Sequence, residues 1–203
     1  MRPRKDLLGL AVLLVFGSTS SLAFAEEFHS KLSLRTANGL LLNQGLGGST
    51  FSLGGLDLSY AYHVAPDVAF GLNYQAEFDF TKHTSPLNGF GIFWRWYFSG
   101  SGVPEKEDSS TLATVTRGLA AFYTGLELAR KEYFLGSNPV DTPSLDQTGS
   151  FMAINALLGV DMAITHNVDF NVEANGTLLA FAGSDNRFFV RSYMVLMGIS
   201  YVW

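Results

Sequence analysis

The chain has 203 residues, 47% of them hydrophobic and 14% aromatic, with 21 glycines, no cysteine and a formal net charge of −5. The lack of cysteine excludes disulfides, thiolate metal sites, thiol catalysis and a lipid anchor on an N-terminal cysteine. The acidic balance, without clustered Lys and Arg, argues against nucleic acid as a partner, and the size suits one domain.

Residues 1–25 read as a cleaved signal peptide for Sec-type export. Arg2, Arg4 and Lys5 form a basic start, residues 7–16 form an apolar core, and Ala23-Phe24-Ala25 is a small-x-small cleavage site. The apolar core is shorter than the roughly 20 residues that a helical span needs. The remaining 203 − 25 = 178 residues, 26–203, form the expected barrel domain. They hold 13 − 3 = 10 basic and 18 − 1 = 17 acidic side chains, a net charge of −7.

Period-2 alternation predicts eight strands along this domain. The first covers 30–38, with Leu32 and Leu34 on one face and Lys31, Ser33 and Arg35 on the other. A Gly-rich loop, 44–49, leads to the second, 50–63, where Leu56, Leu58, Tyr60 and Tyr62 oppose Asp57, Ser59 and His63. The third, 68–80, sets Val68, Phe70, Leu72, Tyr74, Ala76, Phe78 and Phe80 against Asn73, Gln75, Glu77 and Asp79. The fourth, 89–98, opposes Phe90, Ile92, Trp94 and Trp96 to Gly91, Phe93, Arg95 and Tyr97. The fifth, 118–131, opposes Phe122, Leu126 and Leu128 to Tyr123, Gly125, Glu127 and Lys131. The sixth and seventh, 151–162 and 168–178, turn Asn155, Gly159, Asp161, Asp169, Asn171, Glu173 and Asn175 inward. The eighth carries the stripe Phe189, Arg191, Tyr193, Val195, Met197, Ile199, Tyr201, Trp203.

Apolar stripes with a polar opposite face are the signature of a transmembrane β-barrel, apolar outside and polar within. Hydrocarbon cannot satisfy an open sheet edge, so the strands must close. The expected fold is therefore all-β: an eight-stranded antiparallel up-and-down transmembrane β-barrel. The soluble, lipocalin-like alternative would hide its apolar face inside and has no use for a terminal aromatic stripe. Short turns at 64–67 and 164–167 belong on the periplasmic side and the longer loops outside. Tyr60, Tyr62, Trp96, Phe98, Tyr201 and Trp203 then form an interfacial girdle at the periplasmic ends. Arg191, a charge on an outward stripe, should sit near the far interface. The 19-residue connection 99–117 breaks the pattern. It reads as a loose periplasmic segment combined with an early start of the fifth strand near Leu112, with a hidden strand pair as the alternative.

Eight strands leave an interior just wide enough for side chains to fill it. Buried charges must pair, so Arg35, Asp57, Glu77, Asp79, Arg95, Glu127 and Glu173 are expected to form a lumen charge network. Its core would be Arg35, Glu77, Glu127 and Arg95, with Asn73, Gln75 and Tyr123 filling in. Such a network would plug the barrel. An excess of acids would also suit a narrow cation-preferring pore.

The signal peptide, the Pro66-Asp67 and His166-Asn167 turns, the eight strands and the terminal aromatic together resemble the small bacterial outer-membrane β-barrels of the outer membrane protein A transmembrane-domain type. The resemblance covers the whole of 26–203. It implies residence in the cell outer membrane among its lipids and lipopolysaccharide, as a monomer, after delivery by the barrel-assembly machinery. Tyr193, Val195, Met197, Ile199, Tyr201 and Trp203 match the C-terminal signal which that machinery reads. The family has no shared catalytic site, so the resemblance implies no catalytic residues.

The chemistry-bearing candidates are thin. His83-Thr84-Ser85 is similar to the His-x-Ser pair of lipid A deacylases, and a His can activate a Ser that a carboxylate orients. Here parity turns the pair inward or into a loop, Pro86 follows where that family has Asn, and no outward Glu is available. His29-Ser30 with Ser184-Asp185 lacks the spacing of a catalytic set. The four histidines show no metal spacing, so no metal or cofactor is expected. Residues 45–49 lack the Lys of a phosphate loop, and Asn175-Gly176-Thr177 is a sequon within a strand. The expected role is non-enzymatic, in envelope structure or surface interaction, with a small cation channel and a lipid A-modifying enzyme as alternatives.

Overall fold

Ten strands follow one another along the chain: β1 (Ser30–Asn43), β2 (Ser49–Ala65), β3 (Val68–Asp79), β4 (Thr84–Ser99), β5 (Glu105–Ser109), β6 (Leu112–Thr116), β7 (Ala120–Leu135), β8 (Gln147–Ala163), β9 (Val168–Ala182) and β10 (Val190–Val202). The computed structural model describes residues 30–43, 49–79, 84–109, 112–116, 118–135, 147–182 and 190–203. Eight of the strands close into an antiparallel barrel in the order β1-β10-β9-β8-β7-β4-β3-β2. The expected fold class is therefore the observed one. The proposed signal peptide lies outside the described residues.

Closure is made by β1 against β10, in unbroken register from Lys31↔Val202 to Asn43↔Val190. Ser30 and Trp203 finish the seam by exchanging both backbone hydrogen bonds, at 3.0 and 2.9 Å. With both neighbours present for every barrel strand, the ladder has no free edge, which is the condition for burial in hydrocarbon.

Alternation decides the two faces. Leu72, Ile92, Leu128, Leu158 and Ile199 point outward and are 40–58% exposed, while the polar residues between them are buried within. An apolar belt running right around a molecule far exceeds the patches a water-soluble monomer tolerates. Hydrocarbon is the solvent that suits it, with the charges enclosed. Both described termini and the turns at 64–67 and 164–167 lie at one end, here termed the turn end; the other is the loop end. Aromatic pairs ring the turn end: Tyr60 with Trp203 at 6.2 Å, Trp96 with Phe98 at 6.3 Å, Phe98 with Phe122 at 6.4 Å and Tyr201 with Trp203 at 5.9 Å.

Two differences from the sequence reading have clear physical causes. First, the fifth barrel strand begins at Ala120 and not near Leu112. Residues 112–116 pair with 105–109 in a separate two-stranded sheet. Beyond Ala120 the barrel strands on either side have ended, so a longer β7 would carry unpaired backbone groups; folding back on itself satisfies them. Second, β9 runs past residue 178 to Ala182. A bulge shifts the pairing between Ile154↔Leu179 and Asn155↔Thr177, leaving Leu178 over. Leu178 and Leu179 both face out, and the inward parity changes from odd to even beyond them.

Gly125 shows why tight curvature calls for glycine on the inner face. A Cβ there would stand 2.1 Å from the Trp94 carbonyl oxygen of the neighbouring strand, so only a residue without a side chain lets β4 and β7 approach as they do.

Candidate functional site: the barrel lumen

The lumen is layered. Nearest the turn end, Lys31 stands between two carboxylates, Asp161 at 2.6 Å and Asp169 at 2.7 Å. The Tyr97 hydroxyl also donates to Asp161, at 2.9 Å. In the next layer Glu173 joins two guanidinium groups, Arg35 at 3.1 Å and Arg95 at 2.6 Å, and accepts from the Tyr123 hydroxyl at 2.9 Å. Arg35 also donates through Nε to Asp57 at 2.7 Å. The Arg95 guanidinium lies over the Phe93 and Tyr123 rings, 4.2 and 4.9 Å from their centroids. These contacts give its flat faces aromatic partners while its edge meets a carboxylate.

Further toward the loop end, Lys131 pairs with Glu77 at 3.1 Å. Beside this pair Glu127 has a different environment. Its Oε1 accepts from Asn73 Nδ2 at 2.5 Å, and its Oε2 from Asn155 and Asn175 Nδ2 at 2.6 and 2.9 Å. Four lumen cations (Lys31, Arg35, Arg95, Lys131) face six acids (Asp57, Glu77, Glu127, Asp161, Asp169, Glu173), so the described lumen charge is 4 − 6 = −2. The layers divide this sum. The Lys31 layer holds −1, the Arg35–Arg95 layer and the Lys131–Glu77 pair are each neutral, and Glu127 holds the remaining −1.

Apolar groups close the loop end of this column. Leu41 from β1, Leu87 from β4, and Phe151 and Ala153 from β8 form one buried cluster, with Ala180 against it. At the turn end the chain itself crosses the mouth. After Gly100, whose φ of 78° is in the left-handed region, residues 102–104 are buried. Gly102 N–H donates to the Pro66 carbonyl at 3.0 Å. A Cβ on Gly102 would fall 2.5 Å from His63 Nε2 and 2.6 Å from the Tyr97 ring. The segment therefore seats directly against the inner aromatic layer.

Of the expected network, Arg35, Asp57, Arg95 and Glu173 come together, and Glu77 lies in a separate pair with Lys131. Glu127 departs from the expectation, because its partners are amides and not cations. The sequence placed it on the right face, but not which strand's side chain would reach it. Asp79 ends β3, and its side chain lies outside the described residues. So do His83, His29, residues 45–48 and the pair Ser184-Asp185, and Ser85 has no described side chain. Asn175 and Thr177 of the sequon point into the lumen and are buried. Tyr193, Val195, Met197, Ile199, Tyr201 and Trp203 all face outward on the closing strand, ending at the turn end.

The apolar closures at 41, 87 and 151 and the segment 100–104 were missed. Their only sequence signal is parity: Leu41, Leu87 and Phe151 are all odd-numbered, on strands whose odd positions face in.

One expected result follows from the packing. Tyr123 leans over Gly159, where a Cβ would stand 2.3 Å from the ring's Cζ. Gly159→Val should drive the hydroxyl off Glu173 and destabilise the barrel by about 1–3 kcal/mol through overpacking. The urea midpoint of the protein folded in lipid vesicles would report it, with an unchanged midpoint refuting the contact.

No protein-family model and no curated protein matches the chain. Among solved structures it is similar to neisserial surface protein A, with 18% identity over 85% of this chain and 96% of that chain and a TM-score of 0.60. It is also similar to the N-terminal β-barrel domain of Pseudomonas aeruginosa OprF, with 12% identity over 87% and 100% of the two chains and a TM-score of 0.54. A third is Ail, the attachment invasion locus protein of Yersinia pestis, with 11% identity over 87% and 99% and a TM-score of 0.53. The chain thus has the fold of the eight-stranded outer-membrane β-barrels. At such identities the likeness speaks for the fold alone.

Proposed function

We propose that the protein is an integral outer-membrane barrel with a closed, charge-filled lumen, whose work is done on its outside: envelope structure or surface interaction, without catalysis or conduction. The observation that carries this reading is the apolar packing at both ends, by Leu41, Leu87 and Phe151 at one and by the buried residues 102–104 at the other. Among the described residues the charged side chains between these two closures are buried, 0–4% exposed, which supports a lumen without a wet path. The turn end would face the periplasm and the loop end the exterior, among lipopolysaccharide.

Planar-bilayer recording of the folded protein tests it, folding being verified by the heat-dependent gel shift. Silence is expected, and steady openings would overturn the closed lumen. The rival reading, a cation-preferring channel, is favoured by the excess of six acids over four cations. If openings are seen, Glu77→Gln with Glu127→Gln should reduce cation selectivity; unchanged selectivity would refute that reading too. Surface interaction calls for a loop that binds. Deleting residues 136–146 should abolish binding to host or neighbouring surfaces, and full binding by the deletion variant would refute that role for the loop. A lipid A-modifying activity would show as a changed lipid A mass, lost in His83→Ala.

A further inference from the structure

We propose that Lys31 and Asp169 condense into an amide cross-link inside the barrel, with Asp161 as the proton relay. Lys31 Nζ lies 2.6 Å from Asp161 Oδ2 and 2.7 Å from Asp169 Oδ2, and the three side chains are 1%, 3% and 0% exposed. They come from three different strands, β1, β8 and β9. Amide formation needs an amine, a carboxyl group for it to attack and a second group that moves the protons. This layer holds all three at contact distance. Lys131, the other lysine of the lumen, offers an internal contrast: among the described residues its ammonium pairs with Glu77 alone, at 3.1 Å.

The surroundings hold these groups in place and away from water. Lys31 stands in register with Ala61 of β2 and Val202 of β10, both buried. Asp161 stands opposite Ala121 of β7, also buried. The Tyr97 hydroxyl donates to the same Asp161 oxygen at 2.9 Å, and its ring packs on those of His63 and Tyr123, with centroids 5.6 and 5.1 Å apart. Gly102 of the buried segment 102–104 packs against His63 and Tyr97. Fixed contact between reacting groups replaces a chance encounter and raises their effective concentration. Burial adds a drive, because charges are costly in a dry interior and the amide removes one of each sign.

The atoms balance without an outside reagent. Asp161 takes one proton from the Lys31 ammonium and passes it to Asp169, which leaves a neutral amine beside a neutral acid. Rotation of Asp169 about χ2 turns the face of its carboxyl group to the nitrogen. The Nζ–Cγ bond forms while Asp161 takes a second proton from the nitrogen. That proton goes to the departing Asp169 hydroxyl, one Cγ–O bond breaks, and water leaves. Asp161 ends as the carboxylate it was at the start, so the charge of the layer does not change. Asp161 is assigned the relay because its Oδ2 accepts from both Lys31 and Tyr97. In the barrel β10 lies between β1 and β9. The cross-link would therefore span β10 and lock the β1–β10 seam at which the barrel closes.

Intact-mass spectrometry of the protein purified from membranes tests this. Its mass should lie one water molecule below that of its sequence, and proteolysis should yield a branched peptide that joins Lys31 to Asp169. Protein recovered unfolded in urea should have the full mass and lose the water on folding into lipid vesicles. Lys31→Arg should keep the full mass when folded, which separates the cross-link from water loss elsewhere, such as cyclisation of an N-terminal glutamate. Asp161→Asn should also keep it, although Lys31 and Asp169 are both present. If either variant fails to fold, the mass and the branched peptide of the wild-type protein decide alone. A folded wild type of full mass, a branch at Asp161 instead of Asp169, the same cross-link in unfolded protein, or its persistence in Asp161→Asn would overturn the proposal.

Discussion

Glu173→Ala should be among the most damaging single substitutions in the barrel, lowering stability by about 3–5 kcal/mol, the cost of breaking a buried ion pair by removing one partner. Glu173 joins Arg35, Arg95 and the Tyr123 hydroxyl at one carboxylate. Without it Arg95 loses the one carboxylate in its described ion pairs, and two guanidinium groups share a layer whose remaining acid is Asp57. Asp57→Asn should be milder, because Arg35 keeps Glu173 and the Asn side chain can still accept a hydrogen bond. Urea titration of the protein folded in lipid vesicles would rank the two. Equal effects, or a Glu173→Ala barrel as stable as wild type, would show that water enters the lumen and screens the layer. Such a result would also weaken the closed-lumen reading, since screening requires a wet path.

The sequence made the face of each residue legible but not its partner. Parity places Arg35, Glu77, Arg95, Glu127 and Glu173 inside because charge on the alternate positions is costly at mid-bilayer depth; the outward charges Arg130, Glu132 and Arg191 lie toward the loop ends of their strands. Which acid meets which base depends instead on how far neighbouring strands are staggered. That stagger puts Glu173 of β9 against Arg95 of β4, on strands that are not neighbours in the sheet. It also moves Glu127 away from any guanidinium and into the reach of Asn73, Asn155 and Asn175. Alternation fails as a guide in three places, each for its own reason. At Leu41, Leu87 and Phe151 the inner face is apolar, so polarity no longer marks it. At Leu178 a bulge changes the parity. At 105–116 two short strands pair only with each other, a local solution that barrel periodicity cannot announce.

The strongest test of the outward face is depth. Ile92 is 50% exposed and pairs with Leu72 on one side and Leu128 on the other, midway along β4. Ile92→Arg should cost about 2–4 kcal/mol in a bilayer, where a guanidinium at the midplane loses its water. Val64 is 57% exposed but lies at the turn end, beside the bulge that ends β2. Val64→Arg should cost about 0–1 kcal/mol, because the interface lets the side chain reach water. Arg191, outward-facing near the loop end of β10, is a charge already placed at the opposite edge of the belt. Exposure alone predicts the same mild effect at both sites, since a barrel with this belt in water would gain a surface arginine at either. Folding free energies in phospholipid vesicles separate the two pictures. A large loss at residue 92 with little at residue 64 means that lipid contacts the belt. Equal, small losses would mean that the apolar wall is covered by something other than hydrocarbon.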